Sequence, residues 1–295
     1  MTALGQNIAK LKDSTIDWIY SKRNLVNSIN DKREILPYAY PCSNYVEKVL
    51  SNSIVCKALQ NIIDKNYCKQ IEQILATGQE VTPASFPCLS KIIDECCEKL
   101  LINKSPAVVV SPKLKGINAL TIGSDKDPII LLSRKAVMKL HEGELKFLLG
   151  HEYGHVLQQN LVCHTVKGLL DNLKNTSEIF GEVLSDMINI PLNQWYRCSE
   201  ITADRAGLIC CQDIDNVRDL LLKLEGNLKV AFEKKIDNAI EELLELNYTH
   251  PMMMKRFLAM AEFEKSSVFH AFCLGKKIDN FSLENLNGKV QIIMR

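Results

Sequence analysis

Gly150-His151-Glu152-Tyr153-Gly154-His155 lies in a run whose Leu145, Leu148, Leu149, Glu152 and Val156 recur at spacings of three, four and seven, the period of one helix face. On a helix, residues four apart project from the same side. His151 and His155 therefore reach one metal ion together, while Glu152, about 100° round the axis, points at a water beside it. Two histidines satisfied by ordinary core or surface neighbours are the alternative reading, and the motifs that follow weigh against it.

Zinc in a catalytic site takes three protein ligands and keeps one position open, so a third ligand must come from elsewhere in the chain. His141, His164, His250 and His270 are available. The better candidate is Glu200, in Ser199-Glu200-Ile201-Thr202-Ala203-Asp204-Arg205. Glu200 and Asp204 again stand four apart, so on a helix one carboxylate binds zinc while the other accepts the free ring N–H of a ligand histidine and fixes its tautomer. An isolated acidic pair at this spacing is more often a solvated face; beside the histidine motif it gains meaning.

Outward from these segments, helical periodicity covers residues 5–33, 43–77 and Leu89 to Leu101, broken by the proline-bearing stretches Pro37 to Pro41 and Pro83 to Pro87. Short β-branched runs at Ala107 to Val110, Ala119 to Ile122 and Ile129 to Leu132 predict a small sheet. Helix returns from Ser133. An amphipathic stretch over 165–195 follows, then a helix from Trp195 to Gln212 and another over 214–247. The expected architecture is α+β and predominantly helical, divided as a helical N-terminal region (1–104), a core with the sheet and an active-site helix (105–265), and a C-terminal tail (266–295).

The 295 residues carry 36 Lys plus Arg against 35 Asp plus Glu, a net charge of +1. This lacks the excess positive charge of a nucleic-acid binder. Eleven cysteines, an odd number with no C-x-x-C spacing, argue against a disulfide framework or a cysteine-built zinc ribbon and for free thiols in a reducing compartment. Lys10, Lys12 and Asp13 stand where a secretory signal needs apolar residues. The expectation is a cytoplasmic protein without a transmembrane segment, in which the sequons at Asn175 and Asn247 are chance matches. Met252-Met253-Met254 and Cys163-His164 read as packing, and Trp195 as an anchor for the helix of Glu200.

Four ordered segments resemble the gluzincin metallopeptidases that include the HtpX-type proteases and the CAAX prenyl-protein proteases. They are Asn118-Ala119-Leu120-Thr121, His151-Glu152-Tyr153-Gly154-His155, Glu200-Ile201-Thr202-Ala203-Asp204, and Thr249-His250-Pro251 followed by Arg256. The likeness spans about residues 105–262, and the 45 positions between His155 and Glu200 suit this family better than a thermolysin-like protease. Leu120 departs from it, standing where an aromatic residue is common. The resemblance implies a zincin-like core with one Zn2+ per chain on His151, His155 and Glu200, Glu152 as general base and Asp204 behind the ligands. His250 and Arg256 resemble residues near the oxyanion side of the site. Asn118 and Ala119 resemble the start of the edge strand that receives an extended substrate.

Members of the membrane type carry transmembrane helices around this core, whereas here 165–195 holds Asp171, Lys174, Glu178, Glu182 and Asp186. The expected function is zinc-dependent hydrolysis of peptide bonds in a peptide or protein substrate. A different class of reading is a catalytically silent scaffold that engages a protein partner through its N-terminal helices; a DNA-associated protease is weakened by the neutral charge. The 5–33 helix or the 165–195 stretch is also a candidate lid over the site.

Overall fold

The computed structural model describes residues 36–43, 76–123, 125, 128–159, 161, 163, 182–224, 253–275 and 282–294, with 182–189 as backbone only. The candidate lid over 5–33, most of the helical 43–77, residues 164–181, 225–252 and His250 lie outside the described residues.

Four strands form one sheet in the order β1-β2-β4-β3: β1 (Gln79–Glu80), β2 (Ala107–Ser111), β3 (Ala119–Gly123) and β4 (Pro128–Ser133). β2 and β4 run parallel, with Val109 opposite Leu131. β1 and β3 pair antiparallel on the two outer sides, which leaves β3 at an edge among the described residues. Strand side chains alternate between faces. Val108, Val110, Ile130 and Leu132 accordingly enter the main core, while Val109, Ile122 and Leu131 form a separate cluster with Leu114, Leu120 and Ile129. Burial of both faces explains why β2 and β4 read as continuous apolar runs instead of alternating ones.

The helices are α1 (Pro87–Leu100), α2 (Arg134–Lys139), α3 (Glu142–Leu157), α4 (Glu182–Cys211), α5 (Ile214–Leu224), α6 (Met253–Glu264), α7 (Ser267–Leu274) and α8 (Leu283–Ile293). α1 starts with a proline in its first turn and ends on Leu101 in the left-handed conformation. Its face of Leu89, Ile92, Ile93, Cys96, Cys97 and Leu100 is buried. At the start of α3 the backbone N–H of His141 donates to Glu144 Oε2 at 2.7 Å, and the Lys223 ammonium holds the same buried carboxylate at 2.6 Å. From Glu144 onward α3 is buried on nearly every side, the mark of a central helix.

α3 and α4 meet through small residues. A Cβ added at Gly154 would lie 2.6 Å from Ala203 Cα; one at Gly150 would lie 2.7 Å from Cys210 Sγ and 2.9 Å from Gly207 Cα; one at Gly207 would strike the Phe147 ring at 2.8 Å. Side chains on these faces would separate the axes.

The ends of the chain depart from the expected division. Residues 266–295, read as a tail, hold α7 and α8, and Leu286 and Val290 of α8 are buried. The boundary at 104 is no break in packing either, because α1 and Tyr38 share one core with the sheet and α3. One side chain joins these pieces. Arg205, 1% exposed on α4, donates to the Tyr38 carbonyl at 3.0 Å and to Asn287 Oδ1 of α8 at 2.6 Å. Its guanidinium also lies 5.3 Å from the ring centroid of Tyr40 and 5.0 Å from that of Phe263, an arrangement that favours a cation by the ring quadrupoles.

Two glycine-to-alanine changes test the helix contact. Gly154→Ala is expected to destabilise the protein by about 1–3 kcal/mol, because the added methyl overpacks against the backbone of α4. Gly288→Ala on α8, where a Cβ meets nothing within 4 Å, is expected to stabilise by about 0.4–1 kcal/mol through lost freedom of the unfolded chain. Denaturant melts of both variants check the signs.

Candidate metal centre

The close contact of α3 with α4 assembles the site. His151 and His155 turn their Nε2 atoms toward each other at 3.1 Å, with ring planes at 88°. Glu200 reaches across from α4 with Oε2 3.6 Å from His151 Nε2 and Oε1 3.4 Å from His155 Nε2. Ligand atoms of the three residues lie within 4.8 Å of one another, and all three residues are buried. Asp204, one turn after Glu200, sits 3.0 Å from His151 Nδ1, and Ser199 Oγ lies 3.4 Å from His155 Nδ1.

This donor set fits a cation. With the Nδ1–H of His151 given to Asp204, the Nε2 of that ring is left as a lone pair, and it faces a second imidazole nitrogen and a carboxylate. A cation among them would accept these electron pairs together, whereas a proton on one imidazole serves a single pair. Formal charge agrees, since among the described residues Glu200 and Asp204 supply two carboxylates against the guanidinium of Arg256, with the Glu152 carboxylate one residue from His151. Two neutral imidazoles and a carboxylate form a donor set that zinc accepts.

Arg256, on α6, binds the α4 carboxylates. Its Nε donates to Asp204 Oδ2 at 2.8 Å, its Nη2 to Asp204 Oδ1 at 2.5 Å, and its Nη1 lies 3.3 Å from Glu200 Oε2. The paired contacts to Asp204 form a bidentate fork. Burial by itself would raise the carboxyl pKa of both Glu200 and Asp204; the Arg256 charge and the facing histidines outweigh it and hold both low, Glu200 well below its usual range. Burial opposes protonation of His151, but the bond to Asp204 and the charge of Glu200 push its pKa up instead. Tyr196, one turn before Glu200, has its hydroxyl driven well up by burial and by the Glu200 carboxylate to which it bonds.

Glu152 lies beside this centre, 5% exposed, and accepts a 2.6 Å hydrogen bond at Oε2 from the Thr121 hydroxyl of β3. Ala119 opens the same strand, and Asn118 just before it makes two bonds to Ser133: its carbonyl accepts from Ser133 N–H at 2.9 Å and its N–H donates to the Ser133 side-chain Oγ at 3.1 Å. The structure thus brings together His151, Glu152, His155, Glu200, Asp204 and Arg256, and sets Asn118 and Ala119 at the start of the neighbouring edge strand. His250 lies outside the described residues.

Sequence reading did not single out Thr121 as a partner of Glu152, Tyr196 and Ser199 beside the ligands, or the small residues between the helices. Only the last left a signal. Gly150 and Gly154 on one helix and Ala203 and Gly207 on the other are each four apart, the spacing of a close-packed stripe.

A family profile described as Peptidase family M48 matches residues 83–264, more than half of the chain. The plastoglobule-localized metallopeptidase 48, chloroplastic, of Arabidopsis thaliana is 27% identical over 217 residues, covering 70% of this chain and 57% of that protein. The chain therefore spans little more than half the length of this curated relative. No solved structure matches. Among the described residues, no helix is long and apolar enough to cross a membrane.

Two measurements test the centre. Glu200→Ala is expected to weaken zinc binding more than Asp204→Ala does, because loss of a partner behind the ligands typically costs about 10–100-fold; equal effects in a metal titration would mean that the third ligand is misassigned. Arg256→Gln leaves two buried carboxylates without their cation, and a loss of about 3–5 kcal/mol is expected in denaturant melts of the metal-free protein.

Proposed function

The chain belongs to peptidase family M48, and we propose that it is a zinc-dependent endopeptidase with one Zn2+ per chain on His151, His155 and Glu200. The observation that carries this reading is the pair of imidazole nitrogens facing each other beside Glu200, with Glu152, the residue after His151, a buried carboxylate held by Thr121. Bound there, zinc supplies a Lewis acid that polarises the scissile carbonyl and acidifies a water.

The remaining steps belong to the protein. Asp204 accepts the Nδ1 proton of His151 and so keeps that imidazole in the ligating tautomer and orientation. Arg256 holds Asp204 by a two-point contact and steadies Glu200. With its guanidinium engaged there, we assign Arg256 to positioning the ligand residues and not to donating to the oxyanion. Glu152 takes a proton from the attacking water and returns it to the leaving amine, general acid–base work typically worth about 10²–10⁴-fold. An extended peptide adds to the outer edge of β3 from Ala119 onward, where main-chain hydrogen bonds supply affinity with little demand on side-chain sequence, and Asn118, whose own N–H and carbonyl are held by Ser133, fixes the start of that edge. His250, by the family resemblance, donates to the developing oxyanion.

We place the protein in the cytoplasm on the strength of its eleven cysteines, an odd number with no C-x-x-C spacing, which suits a reducing compartment. The printed name of the Arabidopsis relative assigns that protein to the chloroplast. The silent-scaffold alternative gains nothing from a buried His151, His155 and Glu200 group that could hold a metal.

Glu152→Gln keeps the shape of the side chain and removes its basicity. The variant is expected to bind one zinc per chain while peptide cleavage falls by at least about 10²-fold. Metal analysis and a comparison of new N-termini generated by wild type and variant check both parts, and unchanged cleavage would overturn the assignment of the base.

A further inference from the structure

On β3, one side chain is hydrogen-bonded to the active-site helix. Along this strand Leu120 and Ile122 turn to the outer cluster, whereas Ala119 packs into the main core and Thr121 reaches Glu152 on α3. Thr121 is 1% exposed. Its Oγ lies 2.6 Å from Glu152 Oε2 and 3.2 Å from the Glu152 backbone carbonyl. A hydroxyl has one proton to give, and 2.6 Å falls in the range of a charge-assisted O–H···O⁻ bond, so the carboxylate is the principal acceptor.

That bond makes the two carboxylate oxygens of Glu152 unequal. The terminal torsion of a glutamate is soft and nearly two-fold, so a carboxylate without a fixed partner exchanges its oxygens and drifts in angle. We propose that Thr121 is a positioning residue for the general base: it holds Glu152 by Oε2, leaves Oε1 to take the proton of the attacking water, and fixes that oxygen relative to the strand on which the peptide lies. This rests on the peptidase reading of the site. In the step concerned, the water O–H bond breaks, its oxygen forms a bond to the scissile carbonyl carbon as the C=O π pair moves onto the carbonyl oxygen, the proton goes to Oε1, and that pair re-forms the C=O bond when the amine leaves. As the C–N bond later breaks, the same proton passes to the amine nitrogen. Registering the base to the substrate strand addresses the geometry that such transfers need, for a misplacement of about 1 Å is enough to cost about 10²-fold.

The test uses the full chain loaded with zinc and a fluorescently labelled casein as an unfolded substrate. Thr121→Val keeps the β-branched shape that suits a strand and removes the hydroxyl. It is expected to lower kcat about 10- to 100-fold, with KM within about twofold and with zinc affinity unchanged in a metal titration. Thr121→Ser restores the donor and is expected to recover most of kcat. If Val lowers the melting temperature markedly, Thr121→Ser and Thr121→Ala decide, since both lose the methyl group and only Ser keeps the hydroxyl. A readout independent of turnover is the Thr121 hydroxyl proton, expected as a slowly exchanging NMR signal in wild type and lost in Glu152→Ala.

Wild-type kcat in Thr121→Val, a Ser variant as slow as Ala, or a change confined to KM or zinc affinity would overturn the positioning role while leaving the peptidase reading in place. A zinc-loaded wild type that cleaves neither casein nor other unfolded chains would overturn both.

Discussion

The distance between α3 and α4 governs this molecule. His151 and His155 are neighbours by helix geometry alone, but a carboxylate from another helix reaches them only if the two backbones nearly touch. Glycine at 150, 154 and 207 and alanine at 203 make that approach sterically possible, since the positions where side chains would stand are filled by the opposing helix. Glycine inside a helix is unfavourable by roughly 0.5–1 kcal/mol relative to alanine, so local propensity is sacrificed there for a tertiary contact. The remaining apolar shell, from α1 to the inner face of the sheet, holds that contact closed.

Close approach also buries charge. Glu200 and Asp204 are each about 2% exposed or less, and carboxylates in that setting need compensation. Arg256 supplies one positive charge from α6 by a fork to Asp204 and a contact to Glu200, and the facing histidine nitrogens create a place for a further cation. The metal centre and the fold are thus electrostatically linked: the groups that prepare the site for a metal are the same groups whose burial must be balanced for the chain to fold.

Arg205, next in sequence to Asp204, serves a different end. Pointing away from the site, it gathers the Tyr38 carbonyl, the Asn287 side chain and two aromatic rings around one cation, and Tyr40 N–H adds a bond to Thr202 Oγ at 3.0 Å. Successive residues of α4 point about 100° apart, which is how one helix presents Glu200 and Asp204 to the histidines on one side and clamps residues 36–43 and α8 on the other.

The sequence by itself determined the parts of this protein that obey a short period. Spacings of four placed His151 with His155 and Glu200 with Asp204, and β-branched runs located β2, β3 and β4 to within a residue or two, because helix and strand geometry are local. What the sequence could not show was which faces meet. The partnership of Thr121 with Glu152, 31 positions apart, the fork of Arg256 on Asp204, 52 apart, and the hold of Arg205 on α8, 82 apart, depend on packing between distant elements, where one hydroxyl or guanidinium looks like any other in the chain. The helices after residue 265 escaped for a related reason: a face with Leu286 and Val290 as its buried residues is a faint periodic signal, and only the groove beside α6 makes it a buried one.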